Sequence, residues 1–213
     1  MKSAAPVSAF IWDFDGTLFD TYPHTVAAFC ETLRRHGRQA DEAEVYEKMK
    51  ITVWEALRHY GADEAFVREF YALENTLSFP PTGRPFEGIP ALLRYVTARG
   101  GENYLYTHRD RVALEYLDLF GLTPLFSGFV TAENGFPLKP APDALNWLAQ
   151  SFALDPARCL MVGDRLIDTQ AGKTAGMRTC LLHPDGGLPA DQSDFYCRDV
   201  PALAALIKKL PEA

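Results

Sequence analysis

The chain has 213 residues, of which 47% are hydrophobic, and a formal net charge of −7. This length predicts one large domain or one domain with an insertion, and the acidic balance argues against a broad nucleic-acid-binding surface. The longest apolar runs are far shorter than the roughly 18 residues of a membrane span, so no membrane segment is expected. Four scattered cysteines without a C-x-x-C pair indicate buried thiols in a reducing compartment, and hence a cytoplasmic protein.

The first predicted strand, Val7–Phe14, is mostly apolar but carries one carboxylate near its end, and a second carboxylate follows it directly. Asp13 and Asp15 are two positions apart, so their side chains face the same way in an extended segment. Gly16 comes next and permits a tight turn whose backbone N–H groups lie close to a ligand. Because ligands of open parallel sheets bind beyond the carboxyl ends of strands, this segment is a candidate site.

The following stretch, residues 21–82, carries helical patterns and no convincing strand. The first predicted helix has Thr21 as its N-cap and ends near Gly37. The other predicted helices are Asp41–Lys50, Thr52–Tyr60 and Asp63–Leu77. The proline-rich segment "FPPTGRP" then stops helix formation.

These helices interrupt an otherwise regular alternation of strands and helices. We therefore predict that residues 21–82 form an inserted all-helical cap domain. Residues 1–20 and 83–213 form the predicted core domain. The linkers between the two are expected near Phe19–Pro23 and Phe79–Pro85.

After the insertion, short apolar runs bounded by Gly, Pro or Asp alternate with helical patterns, which indicates βαβ units around a parallel sheet. The predicted strands are Asn103–Thr107, Gly128–Thr131, Cys159–Val162 and Thr179–Leu182. The predicted helices are Ile89–Arg99, Arg111–Phe120, Pro142–Phe152, Leu166–Ala175 and Val200–Leu210. The sequence therefore predicts an α/β fold, a Rossmann-like doubly wound parallel sheet with the helical cap inserted after its first strand.

Polar side chains also stand at the ends of the later strands. Asp164 and Asp168 follow one strand, Thr107 and His108 end another, and Lys139 lies in a proline-bounded loop. Four carboxylates in one crevice cannot all stay ionised unaided, and Mg²⁺ prefers such oxygen ligands. A hydroxyl, an ammonium group, backbone amides and Mg²⁺ together form an oxyanion cradle that suits tetrahedral phosphate best.

These residues form four short motifs in chain order: D-x-D-G-T, a Thr after the second strand of the core, a Lys-Pro loop, and G-D-x-x-x-D. This order resembles the four motifs of the haloacid dehalogenase (HAD) superfamily of phosphohydrolases. The helical insertion after the first motif resembles the C1 cap of the phosphoglycolate-phosphatase-like branch. The resemblance implies a HAD-like core, Mg²⁺ as the cofactor and a small phosphorylated metabolite as the partner, with no nucleic acid and no membrane.

The resemblance also implies roles for individual residues. Asp13 resembles the nucleophile and Asp15 the general acid/base. The implied phosphate-binding set is Thr107, His108, Lys139 and Gly16. The implied metal ligands are the carboxylates of Asp13, Asp164 and Asp168 and the backbone carbonyl of Asp15.

The sequence thus predicts a Mg²⁺-dependent phosphatase, monomeric or homodimeric, that hydrolyses a small phosphomonoester through an aspartyl-phosphate. Two alternatives stay open: a phosphate transferase of the β-phosphoglucomutase type, and a non-catalytic, receiver-like signalling module. Thr17 favours a phosphatase, because the mutases often have a β-branched aliphatic residue there. The second acid of D-x-D-G-T and the helical insertion argue against a receiver module.

Three residues have open interpretations. Relatives commonly have Asn where this chain has His108, which either faces the substrate or lies in a solvated loop. Arg165 replaces a small hydroxyl residue of the fourth motif and is interpreted as bracing its loop. His24, early in the insertion, is interpreted as a helix-surface residue, with substrate contact as the alternative.

Overall fold

The computed structural model describes residues 6–183 and 192–211. The chain divides into two compact units. One unit runs from Met1 to Leu18 and from Pro85 to Ala213, and the other is Phe19–Arg84. Within the described part of the chain, no helix combines the length and the hydropathy that a membrane span requires.

A six-stranded parallel sheet is the centre of the larger unit. The strands in the described part of the chain are β1 (Ala9–Trp12), β2 (Phe19–Asp20), β3 (Arg84–Pro85), β4 (Glu102–Tyr106), β5 (Phe126–Val130), β6 (Cys159–Gly163), β7 (Arg178–Leu182) and β8 (Phe195–Cys197). The sheet order is β5-β4-β1-β6-β7-β8, and every neighbouring pair is parallel. The predicted doubly wound α/β fold is therefore confirmed, while β8 is a strand that the sequence did not predict.

Nine α-helices connect the described strands or follow them. They are α1 (Tyr22–Arg35), α2 (Glu42–Ile51), α3 (Val53–His59), α4 (Glu64–Glu74), α5 (Ile89–Ala98), α6 (Val112–Leu119), α7 (Asp143–Ser151), α8 (Leu166–Thr174) and α9 (Val200–Lys209). Every residue of β1 and β6 is buried, because the central strands of a parallel sheet have both faces covered. This double burial explains why both strands read as unbroken apolar runs.

The topology brings three strand ends together. From β1 the chain continues to β4 and β5 on one side, and it then crosses back to β6 on the other side of β1. Strand order thus reverses beside β1, and ligands bind beyond the carboxyl ends of strands at such a position. The polar residues that follow β1, β4 and β6 therefore belong to one crevice.

The smaller unit contains α1 to α4 and has an apolar core of its own. The Phe29 ring lies 5.1 Å from that of Phe66 and 5.4 Å from that of Phe70, all fully buried edge-to-face contacts. Asp41, Thr52 and Asp63 cap α2, α3 and α4 through their side chains. Thr21 occupies the N-cap position of α1, but its side chain makes no capping hydrogen bond.

The structure corrects the interpretation of His24 as a surface residue. The ring is fully buried inside the helical unit. Its Nδ1 lies 3.0 Å from the carbonyl oxygens of both Phe79 and Pro81, and its Nε2 lies 2.7 Å from that of Glu74. His24 therefore holds the segment that leads out of α4.

Candidate active site

The carboxylate of Asp13 stands at the carboxyl end of β1. Its backbone N–H donates to the carbonyl of Val162 over 2.9 Å, which extends the pairing of β1 with β6 by one residue. The side chain is 1% exposed and accepts a hydrogen bond from the Thr17 hydroxyl over 3.3 Å. Gly16 turns the backbone with a φ of 76°, a conformation that favours glycine.

Lys139 joins this carboxylate to a second one. Its Nζ donates to Asp13 Oδ1 over 2.5 Å, to Asp168 Oδ1 over 2.7 Å and to the Tyr106 carbonyl over 3.0 Å, and its side chain is fully buried. Burial opposes the charge, but Asp13 and Asp168 outweigh it and raise the pKa of Lys139. The lysine is therefore a buried ammonium group shared by two carboxylates.

The loop after β6 supplies the remaining acids. Asp168 lies in the first turn of α8, where its Oδ2 accepts the backbone N–H of Arg165 over 3.0 Å. A Cβ at Gly163 would lie 2.3 Å from the Cβ of Asp168, so only glycine leaves room for this acid. Asp164 is also buried, and Arg165 Nε lies 3.8 Å from its Oδ1. Arg165 thus braces the loop through its backbone N–H.

Three buried carboxylates meet closely enough to share a metal ion. One oxygen each of Asp13, Asp164 and Asp168 lies within 4.8 Å of the others. Burial raises the pKa of Asp13 to about 6; Lys139 opposes the rise and Asp168 adds to it. A hard divalent cation with oxygen ligands offsets such a concentration of negative charge, and this donor set fits Mg²⁺.

Thr107 and His108 follow β4, and each makes hydrogen bonds with a different part of the chain. The Thr107 N–H donates to the Val130 carbonyl over 3.0 Å, and its Oγ1 accepts the Arg109 N–H over 3.0 Å, so its hydroxyl proton can point to a ligand. His108 Nε2 accepts the backbone N–H of Lys139 over 2.7 Å. His108 is half-buried, and its ring connects the loop after β4 to the lysine loop, a contact that the sequence did not predict.

Burial lowers the pKa of His108 to about 3, and the charges of Lys139 and Arg165 lower it further in the same direction. The ring is therefore neutral near pH 7, with its proton on Nδ1, because Nε2 accepts a hydrogen bond. The backbone N–H of Lys139 needs an acceptor, and Nε2 can accept only while it carries no proton. The side chain thus fixes the backbone from which the buried ammonium group projects.

We expect His108→Phe to make protein stability less dependent on pH. Because the folded pKa is about 3 and the ordinary value is 6.5, the unfolded chain binds a proton first as pH falls. The wild-type free energy of unfolding should therefore fall between pH 6.5 and pH 3, and the variant should show a shallower fall. Urea unfolding at several pH values measures this, with His59→Phe in an exposed position as the control. A pH dependence of the unfolding free energy that is unchanged in His108→Phe would contradict the lowered pKa of His108 in the folded protein.

One residue of the site was missed by the sequence analysis. Arg109 pairs with Asp15: its Nε lies 3.0 Å from Oδ1 and 3.3 Å from Oδ2, and its Nη2 lies 2.9 Å from Oδ1. The signal was present, since Arg109 directly follows Thr107 and His108 at the end of β4. An arginine in a loop is usually a surface residue, however, and only the fold shows that this one is buried.

Comparison with known proteins gives consistent matches over most of the chain. A sequence model described as haloacid dehalogenase-like hydrolase matches residues 10–182. Hexitol phosphatase A of Escherichia coli K12 is 33% identical over 84% of this chain and 85% of its own length. The plasmid-encoded phosphoglycolate phosphatase of Cupriavidus necator is 27% identical over 95% of this chain and 94% of its own length. The crystal structure of a HAD family hydrolase from Deinococcus radiodurans, with bound phosphate and sodium, has a TM-score of 0.76, 24% identity, and coverage of 98% of this chain and 100% of that one.

Proposed function

We propose that this chain, which belongs to the haloacid dehalogenase-like hydrolase family and is a phosphatase of that family, hydrolyses a small phosphomonoester through an aspartyl-phosphate on Asp13. The observation that carries the proposal is the buried contact of Asp13 with Lys139 at the end of β1. A carboxylate approaches an anionic phosphoryl group only where positive charge offsets their repulsion. Lys139 supplies such a charge within hydrogen-bond distance of the attacking group.

In the first half-reaction an Asp13 oxygen forms a bond to phosphorus while the bond from phosphorus to the leaving oxygen breaks. Asp15 gives its proton to that leaving oxygen, and the alcohol departs. In the second half-reaction Asp15 takes a proton from water, the water oxygen binds phosphorus, and the acyl phosphate bond breaks. Thr107 and the backbone N–H groups of Gly16 and His108 are proposed to bind the phosphoryl oxygens.

Asp13, Asp164 and Asp168, with the backbone carbonyl of Asp15, are proposed to hold Mg²⁺. Bound Mg²⁺ would neutralise charge on the phosphoryl oxygens. Asp13 would then serve both as a metal ligand and as the attacking group. Its fixed position between Thr17 and Lys139 suits a carboxylate that must use one oxygen for each task.

We further propose that the substrate is a small phosphorylated metabolite, in keeping with the names of the hexitol phosphatase and the phosphoglycolate phosphatase. Residues 21–82 are proposed to be the C1-type cap domain, and residues 1–20 and 83–213 the core. The helical unit has an apolar core of its own and contains four helices, and both features support the cap assignment.

Phosphate release from a panel of phosphorylated metabolites tests the function, and chelation tests the metal. We expect turnover with Mg²⁺, loss of about 10²-fold or more after EDTA treatment, and recovery when Mg²⁺ is added back. Asp164→Asn should need far more Mg²⁺ for half-maximal activity, whereas Asp118→Asn, on α6, should not.

Other products would indicate a phosphate transferase or a receiver-like module instead of a phosphatase. An isomerised sugar phosphate without phosphate release would identify a mutase. A single equivalent of protein-bound phosphate without turnover would identify a receiver-like module. Full turnover after exhaustive removal of metal would contradict the metal site.

A further inference from the structure

Asp15 is less restrained by packing than Asp13. Its side chain is 28% exposed, whereas that of Asp13 is 1% exposed. A carboxylate with that much exposure has several rotamers available, yet proton transfer needs a heavy-atom separation of about 2.6–3.2 Å in one orientation. A general acid in this position therefore requires a group that holds it.

The guanidinium of Arg109 contacts the Asp15 carboxylate. Nε and Nη2 approach Asp15 Oδ1 at 3.0 and 2.9 Å, and Nε also lies 3.3 Å from Oδ2. A planar guanidinium that offers two donors defines the orientation of a carboxylate, which a single ammonium group cannot do. The pair thus sets the rotation of the Asp15 side chain.

Arg109 is itself held firmly. Its side chain is 7% exposed, and its Cζ lies 6.0 Å from the centre of the Phe14 ring. Its backbone N–H donates to Thr107 Oγ1, and its carbonyl accepts the N–H of Ala132 over 2.9 Å. Restraint of both the backbone and the side chain makes Arg109 a rigid support rather than a mobile surface cation.

We propose that Arg109 is a positioning residue that holds Asp15 in line with the leaving oxygen. This inference rests on the proposed phosphatase function and adds a residue to it. The proton still moves from Asp15 Oδ2, the oxygen that Arg109 contacts less closely, to the leaving oxygen while the bond to phosphorus breaks, and Arg109 takes no part in the bond changes. Its contribution should therefore grow with the basicity of the leaving group.

The test compares kcat/KM of Arg109→Gln on p-nitrophenyl phosphate and on an alkyl phosphate that the wild type hydrolyses. A nitrophenolate departs with little protonation, while an alkoxide needs the acid. We expect a loss of about 10²-fold on the alkyl ester and less than about 5-fold on the aryl ester. Arg111→Gln, an exposed arginine two residues further on, is the matched control and should retain both activities.

Two further variants keep the test decisive. In an Asp15→Asn background, Arg109→Gln should cause no additional loss on the alkyl ester, because it acts through Asp15. Arg109→Lys keeps the charge without the two-donor geometry, and its loss on the alkyl ester should exceed its loss on the aryl ester.

Equal losses on both esters in the folded Arg109 variants, or additive losses with Asp15→Asn, would overturn the proposal. A wild type that releases phosphate from no ester of the metabolite panel and none from p-nitrophenyl phosphate would instead contradict the phosphatase function itself.

Discussion

Asp13→Asn should abolish turnover and leave the fold intact. The amide has nearly the shape of the carboxylate but is a poor nucleophile, so no aspartyl-phosphate forms. Removal of a residue that takes part in bond formation costs about 10⁴-fold or more in well-studied hydrolases. The measurement is phosphate release by purified variant protein, with circular dichroism as the check on folding.

The neighbouring acid Asp20 supplies a matched control. Asp20 is exposed and lies in β2, seven residues after Asp13, so Asp20→Asn should keep activity within a few-fold of the wild type. Residual activity of a few per cent in Asp13→Asn, after exclusion of contaminating wild-type protein, would contradict nucleophilic catalysis by Asp13.

Lys139→Met should have the second large effect, on both activity and stability. The variant leaves Asp13 and Asp168 buried without the ammonium group that contacts both. Loss of one partner from a buried ion pair typically costs about 3–5 kcal/mol of unfolding free energy, because the remaining charge is uncompensated. Activity should fall by about 10²-fold or more, since Lys139 no longer offsets the repulsion between Asp13 and the phosphoryl group.

Urea unfolding and phosphate release measure the two effects, and Lys209→Met, at an exposed position, serves as the control. The double variant Asp13→Asn/Lys139→Met adds a sharper test. It should lose less stability than the sum of the single variants, by about 1–3 kcal/mol, because one uncompensated carboxylate has been removed. Additive losses would mean that the contact between Asp13 and Lys139 does not stabilise the fold.

The central strands of the sheet were predicted because their sequence pattern reflects burial on both faces. The apolar runs around β1 and β6 could be recognised because their neighbours in the sheet cover every residue. β8 was missed, since Phe195–Cys197 has only three residues and alternates in exposure at the edge of the sheet. So short a segment carries too little periodicity to be distinguished from a loop.

The site residues were predicted through motif order, and the residues that were missed or misread have partners far along the chain. Arg109 and Asp15 are 94 residues apart. His24 contacts carbonyl groups 50 to 57 residues away, so its helical neighbours gave no sign of its burial. His108 likewise depends on Lys139, 31 residues away. Periodicity reports on neighbouring residues within one element, and these contacts exist only after the elements have packed.

Chemical trapping of the intermediate shows directly whether Asp13 is the nucleophile. Wild-type protein is mixed with substrate and Mg²⁺, quenched during turnover, and reduced with borohydride, which converts an aspartyl-phosphate to homoserine. Peptide mass spectrometry then locates the change. We expect homoserine at position 13 in the wild type and none in Asp13→Asn. Homoserine at another acid, or unmodified Asp13 in samples quenched while turnover proceeds, would contradict covalent catalysis by Asp13.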